Sequence, residues 1–165
     1  MNIVLLEPEQ PGNVKAIGRT CVVTNSPLHI IYPTPVKLHT AKDTRAGLDY
    51  WEKVRLFTYV DWEDFLSRHG DAQIFYATTK APRTYADVHY DKDAFIVFGK
   101  ESAGIPEEIL VDKKEACIRI PMYGESRSLN LSNSVGIILY EALRQQGFAG
   151  LESEGHLHRL KWEVA

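Results

Sequence analysis

The sequence predicts an α/β fold with a mostly parallel sheet flanked by helices. Short apolar runs alternate with helical patterns along the chain, and several runs are apolar at nearly every position, as strands buried on both faces should be. Alternation of this kind is typical of layered α/β domains. Because the chain has 165 residues, of which 44% are hydrophobic and 25% charged, we predict one globular domain over residues 1–150. Residues 151–165, which lack apolar periodicity, form a predicted tail.

Six strands and four helices are predicted in order along the chain. The predicted strands are Asn2–Glu7, Leu28–Tyr32, Leu56–Val60, Gln73–Thr78, Ala94–Phe98 and Cys117–Ile120. The predicted helices are Gly12–Val23, Asp61–Arg68, Pro106–Leu110 and Ser132–Gln146. Each strand is a short run rich in β-branched, aromatic or aliphatic residues, and each helix follows a polar or proline-containing turn.

The last helix has the clearest pattern. Its apolar residues follow helical spacing at Val135, Ile138, Leu139, Ala142 and Leu143. Ser132 or Asn133 is the expected N-terminal cap, and Gly147 is expected to end the helix. Ile137 and Tyr140 widen the apolar arc, which predicts that the helix is buried on two sides, one of them against a partner subunit.

Composition excludes several classes of protein. The two cysteines do not make a disulfide framework, no Cys/His spacing fits zinc, and no apolar run reaches the roughly 18 residues of a membrane span. We therefore predict a cytoplasmic protein without a metal site. The net charge of −3 argues against binding nucleic acid by charge alone, although residues 1–55 carry seven basic and five acidic residues.

Three unusual segments each follow a predicted strand. They are Pro8–Asn13, Phe98–Pro106 and Ile120–Asn133, and they contain Gly12, Gly99, Gly104 and Gly124. Open α/β sheets bind ligands at the carboxyl ends of their strands, and glycine lets a ligand approach the backbone. We therefore expect these three loops to form one ligand site.

In this order, the three segments resemble the SPOUT superfamily of RNA methyltransferases. Leu28-His29-Ile30-Ile31 and Arg45-Ala46-Gly47-Leu48-Asp49-Tyr50 add to the resemblance, which covers about residues 2–150. It implies a deep trefoil knot in the C-terminal part of the domain and a homodimer with the last helix in its interface. The chain is most similar to the bacterial members that methylate the ribose 2′-hydroxyl of the wobble nucleotide, cytidine 34 or modified uridine 34, in tRNA, which implies leucine tRNAs as substrates.

The resemblance also implies roles for individual residues. S-adenosylmethionine is expected to be held mainly by main-chain groups of Ala77, Gly99, Ile120, Ser128 and Leu129. Glu101 and Asn130 match motif positions and are expected to brace the loops or orient the ligand. Arg19 and Tyr140 match positions near the reacting groups and are the expected catalytic residues.

The expected partner is the anticodon stem-loop of tRNA. Phosphate contacts are expected from Lys15, Arg45 and Arg127. Tyr50, Trp51 and Tyr140 are aromatic side chains that could stack on an unpaired base, or else pack in the core or in a subunit interface. His29 is expected to be a hydrogen-bonded histidine of a buried strand.

The first segment departs from the family pattern. The pattern Asn-x-Gly-Asn is usual there, whereas this chain has Asn13-Val14-Lys15-Ala16, so that Asn13 and Arg19 are kept but the Gly-Asn pair is not. Two other functions therefore stay open: 2′-O-methylation of ribosomal RNA, and a cofactor-binding, RNA-binding dimer without turnover.

Overall fold

A computed structural model describes residues 1–38, 50–124 and 127–162. Its six strands form one parallel sheet in the order β3-β2-β1-β5-β4-β6. The strands are β1 (Asn2–Leu6), β2 (Leu28–Ile31), β3 (Leu56–Tyr59), β4 (Ile74–Ala77), β5 (Phe95–Phe98) and β6 (Cys117–Ile118). All six predicted strands are present, with ends that differ by one or two residues. The α/β class and the parallel sheet are thus confirmed.

Both faces of the sheet are covered, which explains the nearly continuous apolar runs. Alternate residues of β1 point to opposite faces, so that Ile3 and Leu5 pack in one cluster while Val4 and Leu6 pack in another. The first cluster includes α1 (Pro11–Val23) and α4 (Leu131–Gln145), and the second includes α2 (Trp62–His69) and α3 (Glu107–Leu110). Each predicted helix is therefore present on one of the two faces.

The first residues of α4 show one error of the sequence interpretation. Ser132 and Asn133 lie inside the helix, and Asn130 is the N-terminal cap, whose side chain accepts hydrogen bonds from both of their backbone N–H groups. The helix begins one residue earlier than expected because an asparagine at this position satisfies N–H groups that have no partner within the helix. At the other end Gly147 has φ of 65° and follows the last turn as predicted.

The strand order places the loops that matter at one edge of the sheet. β1 lies between β2 and β5 in the sheet. The chain runs from β1 into α1 on one face of the sheet and from β5 into α3 on the other face. The loops after these two adjacent strands meet at the carboxyl edge, where parallel α/β sheets have their ligand crevice. Beyond α4, Phe148 and Leu151 pack against the first cluster.

Candidate active site

A cleft of about 590 Å³ opens at the carboxyl edge of the sheet. Its walls come from the residues that follow β4, β5 and β6 and from the first turns of α4. This volume lies in the ordinary range for pockets that bind small molecules. The size and the position both suit a ligand of nucleoside dimensions.

All five residues expected to hold the cofactor line this cleft. Ala77 ends β4, Gly99 follows β5, and the residues between β6 and α4 are Ile120, Ser128 and Leu129. Glu101, Asn130 and Arg127 line it as well. The fold thus brings together residues that are as much as 53 positions apart in the sequence, from Ala77 to Asn130.

Glu101 joins the loop after β5 to the loop after β1. Its Oε2 accepts a hydrogen bond from the backbone N–H of Glu9 at 2.8 Å, and its Oε1 accepts one from Nδ2 of Asn13 at 2.9 Å. The backbone N–H of Gln10 also donates to Oε1, at 3.3 Å. A carboxylate that accepts several N–H groups holds them more firmly than a neutral acceptor would.

Asn13 extends this connection to the third loop. Its Oδ1 accepts a hydrogen bond from Nδ2 of Asn130 at 3.0 Å, while Oδ1 of Asn130 accepts the N–H of Ser132 at 2.9 Å. A continuous chain of side-chain hydrogen bonds therefore runs from Glu101 through Asn13 to the start of α4. The two amides and the Glu101 carboxylate thus connect all three loops.

The carboxyl of Glu101 remains ionised in this setting. Burial acts to raise its pKa, but the hydrogen bonds from Asn13 and from the backbone of Glu9 and Gln10 outweigh it, and the pKa lies below its ordinary value of 4.5. Glu101 is therefore an acceptor for fixed donors and not a proton donor near neutral pH. This supports the bracing role expected for it.

Two further contacts tie the first and second loops together. The carboxylate of Glu9 accepts hydrogen bonds from the N–H and the hydroxyl of Ser102, each at 2.8 Å. Lys100 forms an ion pair with Glu7 at 2.8 Å. Each pair is formed across the boundary between adjacent strands β1 and β5, so the edge of the cleft is fixed on this side.

Gly99 has a packing role that the sequence did not show. The chain after β5 folds back, with Lys100 and Gly104 bridged, and a Cβ on Gly99 would overlap the backbone of Gly104 and Ile105. Gly104 itself has φ of +72°, a conformation that favours glycine. The loop after β5 can therefore close against the sheet only because Gly99 has no side chain.

The expected catalytic residues do not line the cleft of their own chain. Arg19 is exposed on α1, and Tyr140 is 46% exposed on α4. Lys15, on the same helix as Arg19, is also outside the lining. Arg45 lies outside the described residues. Within one chain the structure thus gathers the expected cofactor residues but not the expected catalytic pair.

The aromatic residues considered for stacking are placed differently from one another. Trp51 packs against the first hydrophobic cluster, which is the packing alternative. Tyr50 contacts α1 through a hydrogen bond from its hydroxyl to the carbonyl oxygen of Lys15 at 2.8 Å. His29 is buried and hydrogen bonded to Tyr59 at 2.8 Å, as predicted, and burial lowers its pKa to about 3.

Asn13 belongs to the first of the three predicted loops, but the sequence did not show its role as a bridge between the other two. It is buried, lines the cleft and connects Glu101 with Asn130. A signal was present in the sequence, because Asn13 shares one helix face with Ile17 and would put a polar group among apolar ones. A buried amide requires hydrogen-bond partners, and these come from distant loops.

The described residues contain neither a metal-binding cluster nor a membrane-spanning helix. Across residues 1–38, 50–124 and 127–162 there is no cluster of three or more histidine, cysteine, aspartate or glutamate side chains placed to hold a metal ion. No helix in the same ranges is long and apolar enough to cross a membrane.

Comparison with known proteins gives consistent matches. The model of the SpoU rRNA Methylase family matches residues 1–140. A tRNA (cytidine(34)-2′-O)-methyltransferase of Escherichia coli (strain K12) is 41% identical over 151 residues, which are 91% of this chain and 96% of the relative.

Solved structures agree with these matches. A structure described as giving structural insights into the 2-OH methylation of C/U34 on tRNA has a TM-score of 0.82 and 36% identity, covering 89% of this chain and 96% of the other. An AdoMet-bound rRNA methyltransferase of Sinorhizobium meliloti has a TM-score of 0.74 and 27% identity, covering 87% of this chain and 55% of the other.

Proposed function

Since this chain belongs to the SpoU rRNA methylase family, we propose that it transfers a methyl group from S-adenosylmethionine to the ribose 2′-hydroxyl of nucleotide 34 of tRNA. The observation that carries the proposal is the single cleft in which three distant loops are joined by Glu101, Asn13 and Asn130. Similarity to relatives that act on C34 or U34 of tRNA supports this nucleotide.

The cleft suits S-adenosylmethionine by its size and by its lining. The residues proposed to hold the cofactor are Ala77, Gly99, Ile120, Ser128 and Leu129, whose main-chain groups can pair with the adenosine part. Leu129 is 41% exposed at the cleft, where an apolar side chain can cover an adenine ring. When bound, the cofactor supplies an activated methyl group on a sulfonium, so the protein mainly has to align the acceptor.

Arg19 is proposed to stabilise negative charge in this reaction. A guanidinium offers N–H donors and no acceptor, so Arg19 is not proposed to remove the proton of the 2′-hydroxyl. Its fork of N–H donors suits a phosphate or the oxygen that becomes negative as the proton leaves. Tyr140 is proposed to contact the nucleotide next to Arg19.

A homodimer with α4 in the interface is proposed as the active form. Ile137 and Tyr140 lie three residues apart on one exposed side of α4, at 38% and 46% exposure, while the opposite side is buried in the core. Because Arg19 and Tyr140 lie outside their own cleft, the dimer would carry them to the cleft of the other subunit. The proposed RNA contacts of Lys15 and Arg127 would then lie around one composite site, and Arg45 stays a proposed RNA contact outside the described residues.

Several finer features of the proposal come from the family resemblance or, for the domain division and the location, from the sequence pattern. They are the deep trefoil knot formed by the loops around the cofactor, the division into a domain over residues 1–150 and a tail, the anticodon stem-loop as the bound part of tRNA, leucine tRNAs as substrates, and a cytoplasmic location.

The test is methylation in vitro of an anticodon stem-loop of a leucine tRNA. Purified protein is incubated with methyl-labelled S-adenosylmethionine, and the product is digested and separated by nucleoside mass spectrometry. We expect one 2′-O-methyl nucleotide, at position 34. The matched control is the same stem-loop with 2′-deoxyribose at position 34, which should accept no label because the nucleophilic hydroxyl is missing.

Two results would refute the proposal in different ways. Label in the 2′-deoxy control would mean that a group other than the 2′-hydroxyl of nucleotide 34 is methylated. Methylation of a ribosomal RNA fragment in preference to the stem-loop would make a different RNA the substrate. Binding of the cofactor by calorimetry without transfer to either RNA would identify a binding dimer without turnover.

A further inference from the structure

Tyr50 contacts two residues of helix α1, Lys15 and Arg19. Its hydroxyl donates a hydrogen bond to the carbonyl oxygen of Lys15 at 2.8 Å. The guanidinium carbon of Arg19 lies 5.7 Å from the centre of the Tyr50 ring, over its face. Because Lys15 and Arg19 are four residues apart, they occupy neighbouring positions on one side of the helix. One phenol ring therefore contacts both.

The hydrogen bond from Tyr50 to the carbonyl of Lys15 does not replace a hydrogen bond of the helix. The carbonyl of Lys15 accepts the N–H of Arg19 in the regular pattern of an α-helix, and a carbonyl oxygen has a second lone pair for the Tyr50 hydroxyl. The ring is thus attached to the helical turn from which the Arg19 side chain projects. Movement of this turn carries the ring and the guanidinium together.

Trp51 contacts both the Tyr50 ring and helix α1. The Trp51 ring packs directly on Gly18, so closely that a Cβ at Gly18 would overlap it, and it contacts the first hydrophobic cluster. The rings of Tyr50 and Trp51 meet edge to face, with centroids 6.5 Å apart. Because Gly18 has no side chain and precedes Arg19, the Trp51 ring can pack on the helix next to the arginine.

We propose that Tyr50 is a positioning residue that orders the guanidinium of Arg19, and that Trp51, which packs on Gly18, fixes the position of the Tyr50 ring. An exposed arginine on a helix otherwise samples many rotamers, and ordering it in the reaction would oppose catalysis. A ring face attracts the guanidinium without using its N–H donors. The donors therefore stay available for the RNA. This proposal rests on the proposed function, because it assigns Arg19 a role in methyl transfer.

The proposal gives Tyr50 a different role from base stacking. The face of its ring toward α1 is occupied by Arg19, and the hydroxyl is used by Lys15. A stacking platform would act on RNA affinity, whereas a positioning residue acts on the turnover of bound substrate. The two roles therefore differ in KM and kcat.

The experiment compares Tyr50→Phe with Tyr50→Leu. Phenylalanine keeps the ring face and loses the hydroxyl, while leucine loses both. With the anticodon stem-loop as substrate, we expect Tyr50→Leu to lower kcat about fivefold, as loss of a partly exposed cation–π contact predicts. Tyr50→Phe should keep most of the turnover. Neither variant should change KM for the RNA or the Kd of S-adenosylhomocysteine by more than about twofold.

A double-mutant cycle tests whether Tyr50 acts through Arg19. In an Arg19→Ala background, assayed in single turnover with enzyme in excess, Tyr50→Leu should cause no further loss. The same fivefold loss in this background would overturn the proposal. So would an unchanged kcat in Tyr50→Leu, or an effect confined to KM. Phe57→Leu, which removes a half-exposed ring from strand β3, is the matched control and should leave kcat unchanged.

A spectroscopic measurement separates this proposal from the proposed function. The Nε–H resonance of Arg19, assigned by its disappearance in Arg19→Lys, should be shifted by the Tyr50 ring current and should move toward the free-arginine position in Tyr50→Leu. An unmoved resonance would refute the positioning role even if the enzyme methylates tRNA. A moved resonance with no methylation of tRNA would instead refute the proposed function alone.

Discussion

At the scale of single residues, the site depends on amides and one carboxylate that satisfy one another. Asn13 uses its Nδ2 toward Glu101 and its Oδ1 toward Asn130, so neither end of its amide is replaceable by a hydrocarbon. A buried polar group left without its partner costs more than the hydrogen bond itself contributed. Substitutions here are expected to affect both stability and ligand affinity.

Asn13→Ala should remove both hydrogen bonds at once and leave Glu101 and Asn130 each short of a partner. We expect the free energy of unfolding to fall by about 2 kcal/mol and the Kd of S-adenosylhomocysteine to rise about tenfold, measured by urea unfolding and calorimetry. Asn133→Ala is the control, because this asparagine is exposed on the first turn of α4. Equal effects in the two variants would contradict the bridging role of Asn13.

The charge of Glu101 should make part of the stability depend on pH. Its pKa lies below 4.5 in the folded protein, so its stabilising contribution is present above the unfolded-state value and is lost as pH falls through the folded-state pKa. The difference in unfolding free energy between wild type and Glu101→Gln should therefore be constant near neutral pH and shrink below about pH 4.5. A difference that is independent of pH would show that ionisation of Glu101 contributes nothing.

At the scale of elements, helix α1 connects the cleft with the surface proposed to receive RNA. Its first turn carries Asn13 in the cleft, and its second and third turns carry Gly18 and Arg19 against Trp51 and Tyr50. The family pattern has Gly-Asn where this chain has Lys15-Ala16. Ala16 is exposed, and the main-chain carbonyl of Lys15 accepts the hydrogen bond from Tyr50, so this departure adjoins the Tyr50 contact.

Gly18→Ala should reveal how closely Trp51 fits the helix. Alanine favours a helix over glycine by about 1 kcal/mol, but the added methyl group would overlap the Trp51 ring, and overpacking costs about 1–3 kcal/mol. We expect net destabilisation in wild type and stabilisation when the same change is made in Trp51→Leu. Gly12→Ala, where a Cβ meets nothing within 4 Å, is the control. The same sign in both Trp51 backgrounds would contradict the fit.

At the scale of the whole molecule, the cleft and the proposed catalytic residues lie in different places. The cleft is complete within one chain, but Arg19 and Tyr140 are on surfaces outside it. Apolar side chains exposed on a helix whose other side is buried are typical of a subunit interface. A dimer would therefore complete the site and explain the two-sided apolar pattern of α4.

Ile137→Asp should convert the protein to a monomer of half the mass in sedimentation velocity, because a charge would be buried in the interface. Cofactor binding should persist, since the cleft belongs to one chain, whereas methyl transfer should be lost. Val111→Asp is the control, because Val111 is 72% exposed at the end of α3. A dimer that survives Ile137→Asp, or a fully active monomer, would contradict the proposed assembly.

Much of the fold was accessible from sequence because each element has a local cause. The apolar run of β5 requires burial on both faces, and the spacing of Val135, Ile138 and Leu139 requires one buried helix face. The N-terminal cap of α4 was misassigned, since Asn130, Ser132 and Asn133 all carry side chains that can cap a helix. The choice among them depends on where Asn13 supplies a partner for the amide of Asn130.

The sequence by itself determined the parallel α/β architecture and the loops that form the cleft, because hydrophobic period, turn residues and strand ends are local properties of the chain. Only the tertiary structure decided that Asn13 joins Glu101 to Asn130, that Gly99 must lack a side chain, and that Trp51 is seated on Gly18. The contact of Asn13 with Glu101 requires β1 and β5 to be neighbours in the sheet. The loop after β5 folds back on Gly99, and Trp51 reaches Gly18 because the chain after β2 returns to helix α1. Distances between loops arise from strand order, which local patterns do not encode.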